Sequence, residues 1–317
     1  MSDRYYVRDE LTPIPEKPIT VLAPAKVNLA LHVGRRRQDG YHRVCSLMEK
    51  ISLHDTLRVR PLPAGSGFRL TGDVPDGEEN TVAVAARALF AETGTGLAAE
   101  IELRKVIPAG AGLGGGSSDA AAALMALVRI FGLEVAPERL MEIAAGVGAD
   151  VPFFLTSGPQ LAEGAGEQLR PAGRLPGHAL VLAVPEPELS TARVYGLFDQ
   201  IPVKIATGFK ERCRCLKEQV SEIGGERVDS GALSGLLHND LEPAALALVP
   251  GIARIKEELS AAGARGCLMS GSGSAAFGLF DENEQAEAAA VRLRREDRRL
   301  WVVHPVEGPD WRPELPD

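Results

Sequence analysis

The chain has 317 residues, of which 45% are hydrophobic and 25% charged, and a formal net charge of −8. That is a soluble globular composition, long enough for two domains with cores of their own. The negative balance argues against a nucleic-acid binder held by phosphate contacts, and the longest apolar run, Ala120 to Val128, is too short to span a bilayer.

Four cysteines, at 45, 213, 215 and 267, are scattered and form neither a disulfide framework nor a zinc set. Met1 to Tyr6 carry no apolar signal core, so a cytoplasmic chain is expected. Residues 1–18 are polar, contain Pro13, Pro15 and Pro18, and read as a loose extension.

From Ile19 the alternation of Val21, Ala23, Ala25, Val27, Leu29, Leu31 and Val33 predicts a strand. Pro24, Lys26, Asn28 and His32 fall on its other face, with Lys26 and Asn28 about 7 Å apart. The polar face of an edge strand is the plainer alternative, disfavoured because Lys26 is flanked by Ala25 and Pro24 rather than by other charges. Gly34 to His42 reads as a turn with Tyr41 and His42 at its exit, placed either to grip a base or sugar or to pack as a loop corner. Arg35-Arg36-Arg37 within it is a solvated loop or an anion-binding edge. Val44 to Arg60 reads as further strands with His54-Asp55 at the turn between them, Phe68 to Leu70 as a short strand, and Gly72 to Glu79 as a turn. Asn80-Thr81 is expected to cap a helix over 82–93, with Ala83, Ala86, Leu89 and Phe90 as its buried stripe. Ala99 to Ile107 alternates as a strand.

The next segment is Pro108-Ala109-Gly110-Ala111-Gly112-Leu113-Gly114-Gly115-Gly116-Ser117-Ser118-Asp119, followed by four alanines. Glycine opens backbone angles closed to other residues and lets a ligand approach the main chain. Ser117, Ser118 or Asp119 can cap the helix that the alanines and leucines favour, which runs to about Gly132. A glycine loop feeding a helix N-terminus presents free N–H groups and the positive dipole end, a place for phosphate. A flexible linker is the plainer alternative, but linkers are not followed at once by a capped helix. Gly110 to Gly115 also fits the dinucleotide fingerprint G-x-G-x-x-G, with Glu134 about 20 residues on. The loop lacks Gly-Lys-Ser/Thr and is no P-loop, so a lysine for a nucleoside triphosphate must come from elsewhere.

Pro137 starts a helix to about Ala145, which Gly146 is expected to end. Gly148-Ala149-Asp150-Val151-Pro152-Phe153-Phe154-Leu155 then sets one carboxylate between a small-residue turn and an apolar segment. Such an acid is a helix cap or a catalytic acid or base. Gln160 to Glu167 reads as a strand and turn, Pro171 to His178 as a domain boundary, and Ala179 to Val184 as a buried strand. Residues 200–235 are polar with little pattern. His238 to Pro243 precedes a helix, and Ile252 to Ala262 is amphipathic. A second glycine loop, Ser270-Gly271-Ser272-Gly273-Ser274, lies between two strand-like pieces; it is a tight hairpin or, given its serine donors, a phosphate or polyol contact. A helix from Glu282 to Arg295 and a strand from Trp301 to His304 close the chain.

Three segments in order, Ala23-Pro24-Ala25-Lys26-Val27-Asn28-Leu29, the loop Pro108 to Asp119, and Ser270 to Ser274, resemble the GHMP kinases, named for galacto-, homoserine, mevalonate and phosphomevalonate kinases. The resemblance covers nearly all of residues 19–305. It implies an α+β, two-domain GHMP kinase fold with the site between the domains. Residues 19–175 would form an ATP-binding domain like ribosomal protein S5 domain 2, and residues 176–317 a ferredoxin-like domain. Arg37-Gln38-Asp39-Gly40-Tyr41-His42, the Asp150 segment, Ala162 to Glu167 and His238 to Glu242 resemble the branch that phosphorylates a hydroxyl of a cytidine diphosphate-linked alcohol.

The resemblance implies ATP with Mg²⁺, although the sequence shows no carboxylate pair dedicated to the metal. Composition and charge give no membrane or nucleic-acid partner, and with no long exposed apolar stripe in the sequence a monomer or weak homodimer is expected. The resemblance makes Asp150 the base and Lys26 the cation that keeps it ionised and steadies the transferring phosphoryl group. Pro108 to Ser118 and Asn80 would hold ATP. Asn28, Tyr41, His42, Tyr195, Gly271, Ser272 and Gly273 would hold the substrate, with His42 at the cytosine edge and the tyrosines on its two faces. Three alternatives remain at this point: a kinase of the same family for another small alcohol, a nucleotide-binding sensor without turnover, and a Rossmann dehydrogenase.

Overall fold

The computed structural model describes residues 18–74, 80–93, 98–186, 189–200, 208–223 and 230–312. The expected extension lies outside them, apart from residue 18, as does part of the turn over 72–79.

The first half builds on two long antiparallel strands, β1 (Ile19–Arg36) and β2 (His42–Pro61). It continues with β3 (Phe68–Gly72), α1 (Thr81–Thr93), β4 (Ala99–Arg104), α2 (Gly115–Phe131), α3 (Pro137–Val147), α4 (Val151–Leu155), β5 (Gln160–Glu163) and β6 (Gln168–Pro171). The second half holds β7 (Ala179–Pro185), α5 (Thr191–Phe198), α6 (Phe209–Ile223), α7 (Ser230–Ser234), β8 (His238–Asn239), α8 (Glu242–Leu248), α9 (Gly251–Ala261), β9 (Gly266–Met269), β10 (Ala276–Phe280), α10 (Asn283–Leu293), β11 (Arg298–Val303) and β12 (Asp310–Arg312).

One sheet runs β12-β1-β2-β4-β3, with β5 and β6 continuing from β2 and β8 joining β1 in parallel. The other is antiparallel, in the order β11-β7-β10-β9. The helices α1 to α4 pack against the first sheet over an alanine-rich core that includes Ala120 to Ala123, Phe153 and Phe154. A second core, around Val27, Leu29, Leu182 and Phe277, lies between the two sheets. The third lies on the far side of the second sheet, under α5, α8, α9 and α10. The architecture is the α+β arrangement expected from the sequence.

Four local expectations are corrected. β1 is not an edge strand: it sits between β2 and β12, and Lys26 and Asn28 are only 5% and 3% exposed. His54-Asp55 marks no turn, because β2 runs straight through it. The turn-like residues instead flank a bulge, where Pro24 pairs with His54 but Ala25 pairs with Ile51. Proline has no N–H to give a ladder, and the extra residues absorb that gap. The cap of α2 is Gly114, in the left-handed region at φ 71°, and Ser117, Ser118 and Asp119 lie inside the helix with no side-chain cap. Finally, α3 runs through Gly146 to Val147, and Gly148 is its cap.

Two expected caps hold. Asn80 Oδ1 accepts the N–H of Val82 at 2.8 Å at the head of α1. Gly132 (φ 58°) closes α2 and donates to Arg129 and Val128. Within the polar stretch after residue 200, α6 appeared where sequence reasoning saw little. Its Cys213, Leu216, Val220 and Ile223 are buried at helical spacing, on a helix whose other faces carry Lys, Arg and Glu.

Candidate active site

The two glycine loops face each other and are stitched together through their backbones. Ala275 N–H donates to Ala111 O at 3.1 Å, and the Ser270 hydroxyl donates to Gly112 O at 3.0 Å. The approach is so close that a Cβ on Gly112 (φ +74°) would meet Ser270 O at 2.2 Å. Asn239, from the His238-Asn239-Asp240 motif, holds the second loop with two side-chain N–H bonds, to Met269 O and Gly271 O, both 2.8 Å. Ser272 and Thr191 share a hydroxyl hydrogen bond of 2.8 Å, which ties that loop to α5. A cleft of about 630 Å³ opens along these loops.

Lys26 reaches this cleft from β1. Its backbone N–H donates to Leu113 O at 2.9 Å, which docks the strand against the first loop. Its ammonium donates to Asn28 Oδ1 at 2.5 Å and lies 3.7 Å from Asp150 Oδ2. Asn28 is fixed in turn by Ser46, whose hydroxyl accepts from Asn28 Nδ2 at 2.8 Å and donates to Ala30 O at 2.6 Å. Asp150 stands at the head of α4 without using its side chain as a cap, and that side chain is 36% exposed, against 6% for Lys26. A buried cation thus faces an accessible carboxylate. That arrangement suits a carboxylate that must meet a substrate hydroxyl.

Pro108 to Ser117 and Asn80 line the cleft, as do Asn28, Tyr41, Tyr195, Gly271 and Ser272. Three sequence candidates stand off its wall. Ser118 is fully buried in α2, Gly273 lies behind Gly271 and Ser272, and the His42 ring is turned to Asp199 and Tyr195. Tyr195 sits between the two ends of the site: it packs against His42, and burial, then the nearby Asp150 charge, pushes its phenol above the usual range.

Sequence reasoning missed a triad beside the first glycine loop, two of whose members, Lys105 and Asp119, line the cleft. Lys105 Nζ bridges Asp55 Oδ2 at 2.5 Å and Asp119 Oδ2 at 2.6 Å. Asp55 also accepts the N–H groups of Val106 and Ile107 at 2.5 and 2.8 Å, so it fixes the chain just before the first loop. Burial works against the Lys105 ammonium, yet the two carboxylates hold it above the usual lysine range. Burial, reinforced by Asp55 against the pull of Lys105, pushes Asp119 up to about 7. The sequence pointed to Lys26 as the lysine outside the glycine loop; Lys105 carried no such signal, because its carboxylate partners lie on separate elements.

Among the described residues, His32, His238 and Asp240 cluster closely enough to hold a metal. The two rings are stacked at 4.7 Å, and the Arg212 guanidinium already lies 3.1 Å from Asp240, so that carboxylate has its cation. Burial lowers His32 to about 4. No helix among the described residues is long and apolar enough to cross a membrane.

A kinase is what this geometry defines, and the comparisons agree. Residues 80–158 match the GHMP kinases N terminal domain and residues 225–298 the GHMP kinases C terminal domain. The chain belongs to the GHMP kinase family. Within it, a 4-diphosphocytidyl-2-C-methyl-D-erythritol kinase of Pelotomaculum thermopropionicum is 43% identical over 90% of this chain and 97% of its own. The enzyme of that name from Geobacter sp. (strain M21) is 41% identical over 92% and 99%. A crystal structure of 4-(cytidine 5'-diphospho)-2C-methyl-D-erythritol kinase superposes with a TM-score of 0.72 at 37% identity, covering 91% of this chain and all of that one. A homoserine kinase from Cytophaga hutchinsonii shares the fold, at a TM-score of 0.75 and 22% identity.

Proposed function

We propose that the protein transfers the γ-phosphoryl group of ATP to the 2-hydroxyl of 4-diphosphocytidyl-2-C-methyl-D-erythritol, in the non-mevalonate route to isopentenyl diphosphate. The observation that carries this is the buried Lys26 set 3.7 Å from the accessible Asp150 at the mouth of the glycine loop. The names of its relatives supply the substrate.

In this reading Asp150 accepts the hydroxyl proton as the substrate oxygen bonds to the γ-phosphorus. The bond from that phosphorus to the bridging oxygen breaks, and ADP leaves with the electron pair. Lys26, 3.7 Å from Asp150, offsets charge on the transferring group during the step. Positioning and charge do most of the work in phosphoryl transfer, so one base, one cation and a donor loop suffice. Gly110, Gly112 and Gly114, all at positive φ, give the loop a concave backbone ahead of the α2 N-terminus, which fits a triphosphate.

Mg²⁺ bound with ATP supplies neutralisation of the phosphate oxygens. Ser117 and Asp150 are oxygen donors in the cleft of the hard type it takes. Asn80 and Lys105 sit at the adenosine side, and Asn28, Tyr41, His42, Tyr195 and the second glycine loop at the alcohol and cytidine side. Residues 19–175 would carry the nucleotide and residues 176–317 close the substrate side, in a cytoplasmic enzyme that is a monomer or weak homodimer.

The test is ADP release with ATP, Mg²⁺ and the cytidine compound, with mevalonate, homoserine and galactose run in parallel. Release with the cytidine compound alone is expected. Release with another alcohol would keep the kinase and discard the substrate; ATP binding without release in all four would favour a sensor.

A further inference from the structure

His32 lies on β1, while His238 and Asp240 flank Asn239, the residue that holds the second glycine loop. None of the three lines the cleft. Yet one ligand atom from each, an imidazole nitrogen or a carboxylate oxygen, lies within 4.8 Å of the other two.

The backbone sets this grouping. β8 runs parallel to β1, with Ala30 opposite His238 and Leu31 opposite Asn239. Asp240 N–H donates to Leu31 O at 3.0 Å, and Asp240 Oδ2 accepts the Val33 N–H at 2.7 Å. The Arg212 guanidinium also goes to Oδ2, at 3.1 Å, whereas Oδ1 is turned to His238 Nε2 at 2.7 Å. One oxygen thus orients the carboxylate and the other faces the rings.

His32 Nδ1 is the atom that asks for a ligand. It is buried without a hydrogen-bond partner, in a residue only 8% exposed, and lies 4.0 Å from Asp240 Oδ2. A buried ring nitrogen without a partner costs stability unless a water or an ion meets it. Two imidazoles and one carboxylate are a donor set for a borderline cation such as Zn²⁺, whereas Mg²⁺ takes oxygen ligands. Zinc bonds of about 2.0–2.2 Å at tetrahedral angles set ligand atoms about 3.4 Å apart. Closing the widest gap then needs a shift of about 1.4 Å at most, which the exposed His238 ring can supply.

We propose that His32 Nδ1, His238 Nε2 and Asp240 Oδ1 bind a divalent transition cation of the Zn²⁺ type, which fastens β8 to β1 beside the second glycine loop. The fourth position is left to water, since the His238 side chain is 47% exposed. Arg212 and the Val33 N–H form the outer shell that orients Asp240. The cation is distinct from the Mg²⁺ that accompanies ATP and takes no part in the reaction. It restrains Asn239, which stands between two of its ligands, and through Asn239 the loop.

The experiment titrates chelator-stripped protein with Zn²⁺ by calorimetry, in excess Mg²⁺ to fill oxygen-only sites, as wild type, His238→Ala and His32→Phe. A single Zn²⁺ is expected in wild type. Loss of an outer-shell partner alone weakens metal binding about 10–100-fold, so loss of either ligand should raise Kd by about tenfold or more. His238→Ala trims an exposed ring, and His32→Phe keeps a buried ring without its nitrogens; His238→Ala alone decides if the buried substitution does not fold. The Tm should rise with Zn²⁺ in wild type and not in the variants, because a ligand held only by the folded state stabilises it. Co²⁺ in place of Zn²⁺ should give ligand-field bands with no thiolate charge-transfer band, which separates this site from the exposed Cys215. No Zn²⁺ bound by wild type, an unchanged Kd in either folded variant, or thiolate ligation would each overturn the proposal.

Discussion

Lys26 and Lys50 are direct partners across β1 and β2, yet their ammonium groups serve opposite ends of the same short helix. Lys26 reaches toward Asp150, the residue that heads α4. Lys50, fully buried, donates to Gly158 O at 3.1 Å beyond the end of α4 and lies 4.0 Å over the ring of Phe153 within it. The candidate base is therefore carried on an element clamped between two lysines of one sheet.

Replacing Asp150 with Asn should lower kcat by about 10²–10⁴-fold, the range of general-base contributions, and leave ATP affinity nearly unchanged. Steady-state kinetics beside equilibrium nucleotide binding separates the two. Full turnover in the variant would remove Asp150 as the base.

Lys26→Ala should lower kcat by about 10²–10³-fold, as the loss of one fixed charge at the transferring group does. The residue is nearly buried, so its truncation should also cost stability, and a melting curve must accompany the rate. A normal kcat in folded protein would leave Lys26 with a structural role only.

Lys50 predicts a pH-dependent stability. Burial, against the weaker pull of Glu307 and Glu49, lowers its ammonium from 10.5 to about 7. Between those values the unfolded chain binds the proton more tightly, so unfolding free energy rises with pH across about 7 to 10.5 and flattens below. Lys50→Met, similar in length and apolar, should remove that slope, which is at most about 1.4 kcal/mol per pH unit for one proton. Denaturant midpoints of both proteins across this range decide it; parallel curves would refute the assignment.

Gly112→Ala tests the contact between the loops. The added methyl would meet Ser270 O and would also hold a β-carbon at φ +74°. A loss of about 1–3 kcal/mol is expected, together with weakened ATP binding because the loop must shift. A Gly146→Ala control meets nothing within 4 Å and should do neither.

How much of this was legible in the sequence depends on the range of each interaction. The glycine loops, Lys26, Asn28 and Asp150 could be found because each sits in a short segment whose chemistry is local. The alternative reading of Lys26 on an edge strand fails for a physical reason: alternation reports side-chain size and polarity, and does not report that Leu113 O and the Ser270 hydroxyl, from loops far along the chain, take up the N–H groups of Lys26 and Asn28. Asp55 looked like a turn residue because its partners, Lys105 and the N–H groups after it, lie some 50 residues away. Helix α6 was hidden by charge, since four buried positions among eleven exposed or half-buried ones scarcely move the composition. Asp199 carried no signal of its own; only the fold brings it to His42.

The pairing of β12 with β1 joins opposite ends of the described residues. Thr20, Val21 and Leu22 take their second ladder from Arg312, Trp311 and Asp310. A contact so distant in sequence carries a large loop-closure cost and is expected to form late in folding. Until it forms, those three residues present an unpaired edge to any other strand.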